Sequence, residues 1–210
     1  MLTSILTPVV HGDHQRPSRR QWLKLAALHS LGAFLAAAMV GGVLASVSWA
    51  VSFMGWRPLR WAYWGALVIT LLYLPRQLGW IRFPPLLQST RQVPRRWAYD
   101  YPRWTTALLF GLGLGSGLYT RIIVPTFYLL LVWPFLIQGF LLPVLIWSIY
   151  GLARSCNVWW LAWTATMPDP FSHAVKMTSV LVRRSSWVRR VNAILLLILA
   201  VWLLARRYFE

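Results

Sequence analysis

Few side chains in this sequence have types and spacings that suggest chemistry, and the clearest local pattern is a cluster of glycines. Gly111, Gly113, Gly115 and Gly117 form two interleaved G-x-x-x-G pairs. On a membrane helix, such a pair presents a smooth face that lets a second helix approach closely. Four glycines, at roughly 1 kcal/mol each relative to alanine, also make local unwinding cheap, and an unwound backbone can line a substrate path. Both interpretations stay open, and the two small faces predict a central helix.

Two polar residues lie a few positions after the glycines in the sequence. Thr120 offers a hydroxyl, and Arg121 offers a guanidinium that forms strong hydrogen bonds with anions. Arg121 can contact an anion at the mouth of a cavity, or it can extend its charge to the membrane interface. Together with the glycines, these two residues are our candidates for a substrate pathway or a helix-packing site.

A histidine and a cysteine complete the set of candidates. His29 lies near the start of an apolar run, where a neutral imidazole can ligate a haem or hydrogen-bond to a neighbouring helix. No second histidine is placed to face it across a bundle, so bis-histidine haem is not predicted. Cys156 is the only cysteine, which excludes an internal disulfide and a cysteine-rich metal site.

Acidic side chains are scarce, and all of them lie outside the apolar runs. They are Asp13, Asp100, Asp169 and Glu210. This placement argues against a carboxylate proton relay, a sodium site, a glycosidase-type acid–base pair and a carboxylate metal site. We predict that the protein is not an enzyme and that it binds no cofactor and no metal, because the sequence offers no nucleophile–base or metal constellation.

The composition indicates a membrane protein. Apolar residues make up 58% of the 210 residues, and charged residues make up 12%, about half the share found in soluble domains. A bilayer core needs roughly 20 apolar residues per helix. We therefore predict an all-α fold, a polytopic transmembrane helical bundle over residues 25–206. Its five predicted spans lie near residues 25–55, 61–76, 104–123, 126–153 and 191–206.

The basic residues predict an orientation. Of the 21 basic side chains, 16 lie on or beside three segments that are cytoplasmic if the N-terminus is cytoplasmic, as the positive-inside rule requires. These segments are residues 1–24, the loop 77–103 and the segment 155–190, which its tryptophans mark as interfacial. No signal peptide is predicted, because the first apolar stretch is short and precedes the basic cluster. The expected location is the bacterial cytoplasmic (inner) membrane.

Two halves of the sequence resemble each other. At an offset of 79 residues, Gly32 aligns with Gly111 and Ala36 aligns with Gly115. At an offset of 78, the segment 71–76 (LLYLPR) aligns with the segment 149–154 (IYGLAR). This pattern suggests a duplicated two-helix unit in parallel orientation, and chance similarity between apolar helices is the alternative. Duplicated halves are common in transporters.

Three segments carry a resemblance to known families. They are RQVPRRW (91–97), LLFGLGLGSGLYTRI (108–122) and YGLAR (150–154). They resemble small bacterial integral membrane proteins grouped with the cytochrome c biogenesis transmembrane (CcdA-like) and sulfite-exporter (TauE-like) families. The resemblance covers roughly residues 30–155 and implies a repeated bundle related to transporters. CcdA-like proteins use a pair of cysteines, one in each half, so their redox activity does not carry over to a chain with Cys156 alone.

Two functions follow from these observations. The duplicated halves and Arg121 favour a small-solute or anion permease. The 15 tryptophans, the interleaved glycine faces and the expected absence of buried charges favour a non-catalytic scaffold or accessory subunit of a larger membrane complex. We expect a membrane protein partner or a homo-oligomer. Anionic lipid headgroups, and not nucleic acid, are the expected counter-charge for the net charge of +17.

Overall fold

A computed structural model describes most of the chain as helices. The described residues are 18–54, 58–80, 94, 96–117, 126–137, 139–164, 187 and 189–205. No strand occurs among them, which confirms the predicted all-α class. In chain order the helices are α1 (Arg19–Phe53), α2 (Pro58–Leu78), α3 (Trp97–Asp100), α4 (Arg103–Ser116), α5 (Thr126–Leu136), α6 (Leu141–Thr164) and α7 (189–205).

Two of these helices are long and apolar enough to cross a membrane. They are α1 and the part of α6 from Leu141 to Trp159. With 35 residues, α1 is about 50 Å long, more than a bilayer core of about 30 Å requires. The predicted five-span bundle is not confirmed, because the described part of the chain contains these two helices of spanning length and composition and not five.

The fourth predicted span is two helices and not one. The sequence shows one uncharged run over residues 122–153, but α5 ends at Leu136 and α6 begins at Leu141. Pro134 lies inside α5, where it removes a backbone donor. Between the two helices, Gly139 has a φ of +151°, a conformation that residues with side chains rarely adopt. Charge and hydropathy cannot reveal this break.

The predicted loops are described in part. The helix α6 continues to Thr164, so residues 155–164 belong to it and do not form a separate interfacial helix. The end of α2 and the short α3 lie at the two ends of the loop 77–103. The remainder of these two segments, and residues 1–17, lie outside the described residues.

The chain divides into two compact units, of which the first comprises Met1–Gly41, Ser89–Arg121 and Val144–Val175. The second unit has a continuous apolar core. This unit comprises Gly42–Gln88, Ile122–Pro143 and Lys176–Glu210. Its core residues lie on α2, α5 and α7, and they recur after seven residues on both α2 and α7, which is two helical turns. They are Ala66, Tyr73, Leu129, Leu196 and Leu203.

One buried hydrogen bond in this unit joins the end of α1 to α5. The Ser48 hydroxyl donates to the Pro134 carbonyl at 3.0 Å. Carbonyls in the last turn of a helix have no donor within the helix, and Ser48 supplies a donor to one of them.

We predict that Ser48→Ala lowers the free energy of unfolding by about 1–3 kcal/mol, because the buried Pro134 carbonyl loses its donor. Ser52→Ala is the matched control, since the Ser52 hydroxyl donates at 2.9 Å to the Ser48 carbonyl of its own helix. Thermal unfolding of both variants in detergent measures the difference. Equal shifts for the two would contradict the prediction.

Candidate functional site

The glycine cluster lies on α4 and is helical almost to its end. Gly111, Gly113 and Gly115 are buried within the helix. Gly117 ends it in the left-handed conformation, with φ at +73° and its N–H bonded to the Leu114 carbonyl. The cluster is therefore not unwound at its centre. The other two candidates, Thr120 and Arg121, lie outside the described residues.

Gly111 and Gly115 are the positions at which α4 contacts α1. A Cβ atom built on Gly111 would collide with the His29 carbonyl, and one built on Gly115 would collide with the Ala33 backbone. On α1, a Cβ atom on Gly32 would lie 2.5 Å from the Leu108 carbonyl oxygen. The contact therefore joins backbone to backbone. The two helices run in the same direction, because the contact positions advance by four residues on both.

A second backbone contact joins α1 to α6. A Cβ atom on Gly151 would lie 2.5 Å from the Ala33 carbonyl oxygen and 2.6 Å from the Ala37 Cβ. About two turns further along α6, the Trp159 indole N–H donates at 2.7 Å to the Ser30 hydroxyl, which lies one turn before Ala33 on α1. In the first unit, the Ala33 carbonyl is therefore approached by glycines of both α4 and α6. That α4 is the central helix stays a prediction.

Sequence reasoning missed this second contact. The signal was a stripe of small buried residues on α1, at Ala26, Ser30, Ala33 and Ala37. Their spacings of four, three and four residues are those of one helix face. Gly151 gave no comparable signal, because it is an isolated glycine in its helix.

His29 is buried at the contact between α1 and α4, with 4% of its surface exposed. Its Nδ1 lies 3.2 Å from the Ala107 carbonyl. Because a carbonyl can only accept, we assign the proton of this bond to Nδ1. Nε2 is then an acceptor, and it has no hydrogen-bond partner among the described residues. The described part of the chain holds no group of three metal-ligating side chains, and a cofactor role for His29 stays a prediction.

An apolar groove of about 280 Å³ lies beside the contact between α1 and α4. Gly113, on the second small face of α4, lines this groove. The Ser116 hydroxyl in its wall donates to the Gly113 carbonyl at 3.1 Å. The described residues that line it are Ala36, Met39, Val40, Trp97, Leu109, Leu112, Gly113 and Ser116.

We predict that Gly111→Ala destabilises the protein by about 1–3 kcal/mol, because the new methyl group meets backbone atoms of His29 and Ala33 that cannot give way. Gly65→Ala is the control. Its methyl group would lie 4.0 Å from Val132, and the replacement of glycine in a helix gains up to about 1 kcal/mol. The two variants should shift the thermal midpoint in detergent in opposite directions. A neutral Gly111→Ala would show that the helices do not touch there.

Comparison with known proteins finds relatives named methylamine utilization protein MauF. The protein of Paracoccus denitrificans is 31% identical over 109 residues, which cover 52% of this chain and 38% of that protein. The protein of Methylophilus methylotrophus is 24% identical over 155 residues, covering 74% and 53%. The protein of Paracoccus versutus is 32% identical over 108 residues, covering 51% and 39%. The chain thus spans about half or less of the length of these relatives.

No protein-family model matches the chain, and no solved structure matches it significantly.

These relatives correct two expectations. The resemblance to CcdA-like and TauE-like proteins is wrong, because the matching proteins are named MauF. A glycine-rich helix and a basic loop are common to many membrane proteins, so they did not discriminate between families. The permease function is wrong as well, since the relatives are named for methylamine utilization and not for solute transport.

Proposed function

We propose that this protein is a non-catalytic accessory subunit of a membrane protein complex that serves methylamine utilization. The observation that carries the proposal is the similarity to MauF proteins from two bacterial genera, at 24–32% identity over 108–155 residues. An accessory role is one of the two functions that the sequence favours, and it is the one with which these names are compatible.

The geometry of the first unit is consistent with a scaffolding function. Ala33 is in backbone contact with glycines of two other helices, so α1, α4 and α6 are held at short distances from each other. Helices packed in this way present fixed surfaces. The acidic residues, by contrast, lie outside the apolar runs, where they are poorly placed for acid–base chemistry at membrane depth.

We also propose a multi-pass arrangement in the bacterial cytoplasmic membrane, with the N-terminus in the cytoplasm. Its support is the asymmetry of the basic residues together with the two helices of spanning length. The uncharged runs over α2, α4 and α7 extend the arrangement to the five spans that the sequence predicts.

The accessory function predicts two results in the native organism. Deletion of the gene should abolish growth on methylamine and leave growth on ammonium unchanged. The tagged protein, purified from native membranes in mild detergent, should retain at least one membrane protein in stoichiometric amount. Normal growth on methylamine together with purification of the protein alone would contradict the proposal.

The orientation predicts that the loop 77–103 is cytoplasmic. A cysteine introduced at Ser89 in a Cys156→Ser background should resist a membrane-impermeant thiol reagent in intact cells. The same cysteine should react after the cells are permeabilised, which is the control for accessibility. Efficient labelling of intact cells would place this loop on the outer side of the membrane.

A further inference from the structure

The end of α2 is fixed by two backbone hydrogen bonds. The Gly79 N–H donates to the Arg76 carbonyl at 3.1 Å, and the Trp80 N–H donates to the Pro75 carbonyl at 2.9 Å. Gly79 has a φ of +81°, the left-handed conformation that commonly closes a helix in this way. Arg76 therefore lies in the last turn of α2, and Trp80 follows the helix end with 78% of its surface exposed. Both residue types are well suited to the interface between a bilayer and water.

Two tyrosines accompany Arg76 within the second unit. Tyr73 precedes Arg76 by three residues, so the two residues share one face of α2. The Tyr73 ring stacks against the Tyr128 ring of α5, with 5.7 Å between the ring centroids and 13° between the planes. The charge of the Arg76 guanidinium is close enough to act on the Tyr128 hydroxyl. We call these three residues, which come from two helices, the tyrosine–arginine cluster.

The cluster is partly withdrawn from water and carries a positive charge. Tyr73 is buried, whereas Tyr128 and Arg76 are half-buried. Asp100 is the only carboxylic acid among the described residues, and no ion pair joins it to Arg76. A guanidinium has five N–H donors and no acceptor, and each tyrosine hydroxyl can donate once. The cluster is therefore suited to bind an anion that has several oxygen atoms.

We infer that the tyrosine–arginine cluster binds the phosphate group of a phospholipid. The planar fork of a guanidinium matches two oxygens of a phosphate, and the tyrosine hydroxyls can donate to the remaining ones. A lipid is the indicated source because the cluster lies at a helix end, beside Trp80, where the proposed membrane arrangement places the headgroups. The inference rests on that arrangement and not on the accessory function.

The proposed orientation also specifies the leaflet and the charge of the lipid. The loop 77–103 begins directly after Arg76, so a cytoplasmic loop places the cluster in the cytoplasmic leaflet. Anionic headgroups in that leaflet attract basic residues close to the membrane surface. We therefore expect an anionic phospholipid to bind. Free phosphate offers the same oxygens, and the experiment has to separate these two sources.

Native mass spectrometry of the full chain in mild detergent tests the cluster. The delipidated protein is titrated with phosphatidylglycerol and, separately, with a diacylglycerol that has the same acyl chains and no phosphate. The wild type should bind phosphatidylglycerol at least about tenfold more tightly, because the phosphate adds hydrogen bonds between charged groups. Inorganic phosphate at the concentration of the lipid should not displace it, since the acyl chains add apolar contacts that the free anion lacks.

Three substitutions assign the binding to the cluster. Arg76→Gln removes the charge and should weaken the binding of phosphatidylglycerol about tenfold, while Tyr128→Phe keeps the stacked ring and should weaken it about threefold. Arg20→Gln is the matched control, because it removes an exposed arginine of α1 outside the cluster and should leave the affinity unchanged. The thermal midpoint of each variant in detergent checks its fold. If Arg76→Gln fails to fold, Tyr128→Phe decides the test.

Three outcomes would overturn the inference. They are equal affinities for phosphatidylglycerol and diacylglycerol, an equal loss of affinity in Arg20→Gln, and unchanged binding by folded Arg76→Gln and Tyr128→Phe. Displacement of the lipid by an equal concentration of inorganic phosphate would assign the cluster to the free anion and overturn the lipid as its source. A wild type that purifies from native membranes without a partner, yet binds phosphatidylglycerol through Arg76, would overturn the accessory function and support this inference.

Discussion

The close packing of three helices in the first unit depends on the backbone of Ala33. Gly115 of α4 and Gly151 of α6 both come nearest to its carbonyl oxygen. A methyl group at either glycine would occupy the space of backbone atoms, which cannot rotate away as a side chain does. The separations of α1 from α4 and of α1 from α6 are therefore fixed by the same residue, and the groove beside Ala36 and Gly113 inherits its shape from them.

In the proposed membrane arrangement, these contacts would supply the cohesion that the hydrophobic effect supplies in water. Lipid tails are as apolar as leucine, so helices associate through close packing and hydrogen bonds between them. The first unit shows both, because its glycine contacts are flanked by the bonds from Trp159 to Ser30 and from His29 to Ala107. Such bonds contribute on average about 0.6 kcal/mol each in a membrane protein, so close packing has to carry much of the stability.

The sequence predicted the elements of this arrangement better than their connections. The all-α class and the packing role of Gly111 and Gly115 follow from composition and spacing, which depend on single helices. The break near Gly139 could not be predicted in this way, because no charged residue marks it within the apolar run 122–153. The contact of Gly151 with Ala33 joins positions 118 residues apart, and no local pattern marks such a pair. The family resemblance failed for a related reason, since it rested on features that many membrane helices share.

The distance along the chain between Gly32 and Gly111 also has a consequence for biosynthesis. At about 5–20 residues per second, a ribosome needs roughly 4–16 s to add the 79 residues that separate them. For that interval, the Gly32 face of α1 lacks its contact with Gly111. Small faces of this kind also pair with identical helices, so neighbouring ribosomes on one messenger would bring competing copies of α1 together. Slow initiation, which spaces the ribosomes apart, would therefore favour correct assembly of this protein.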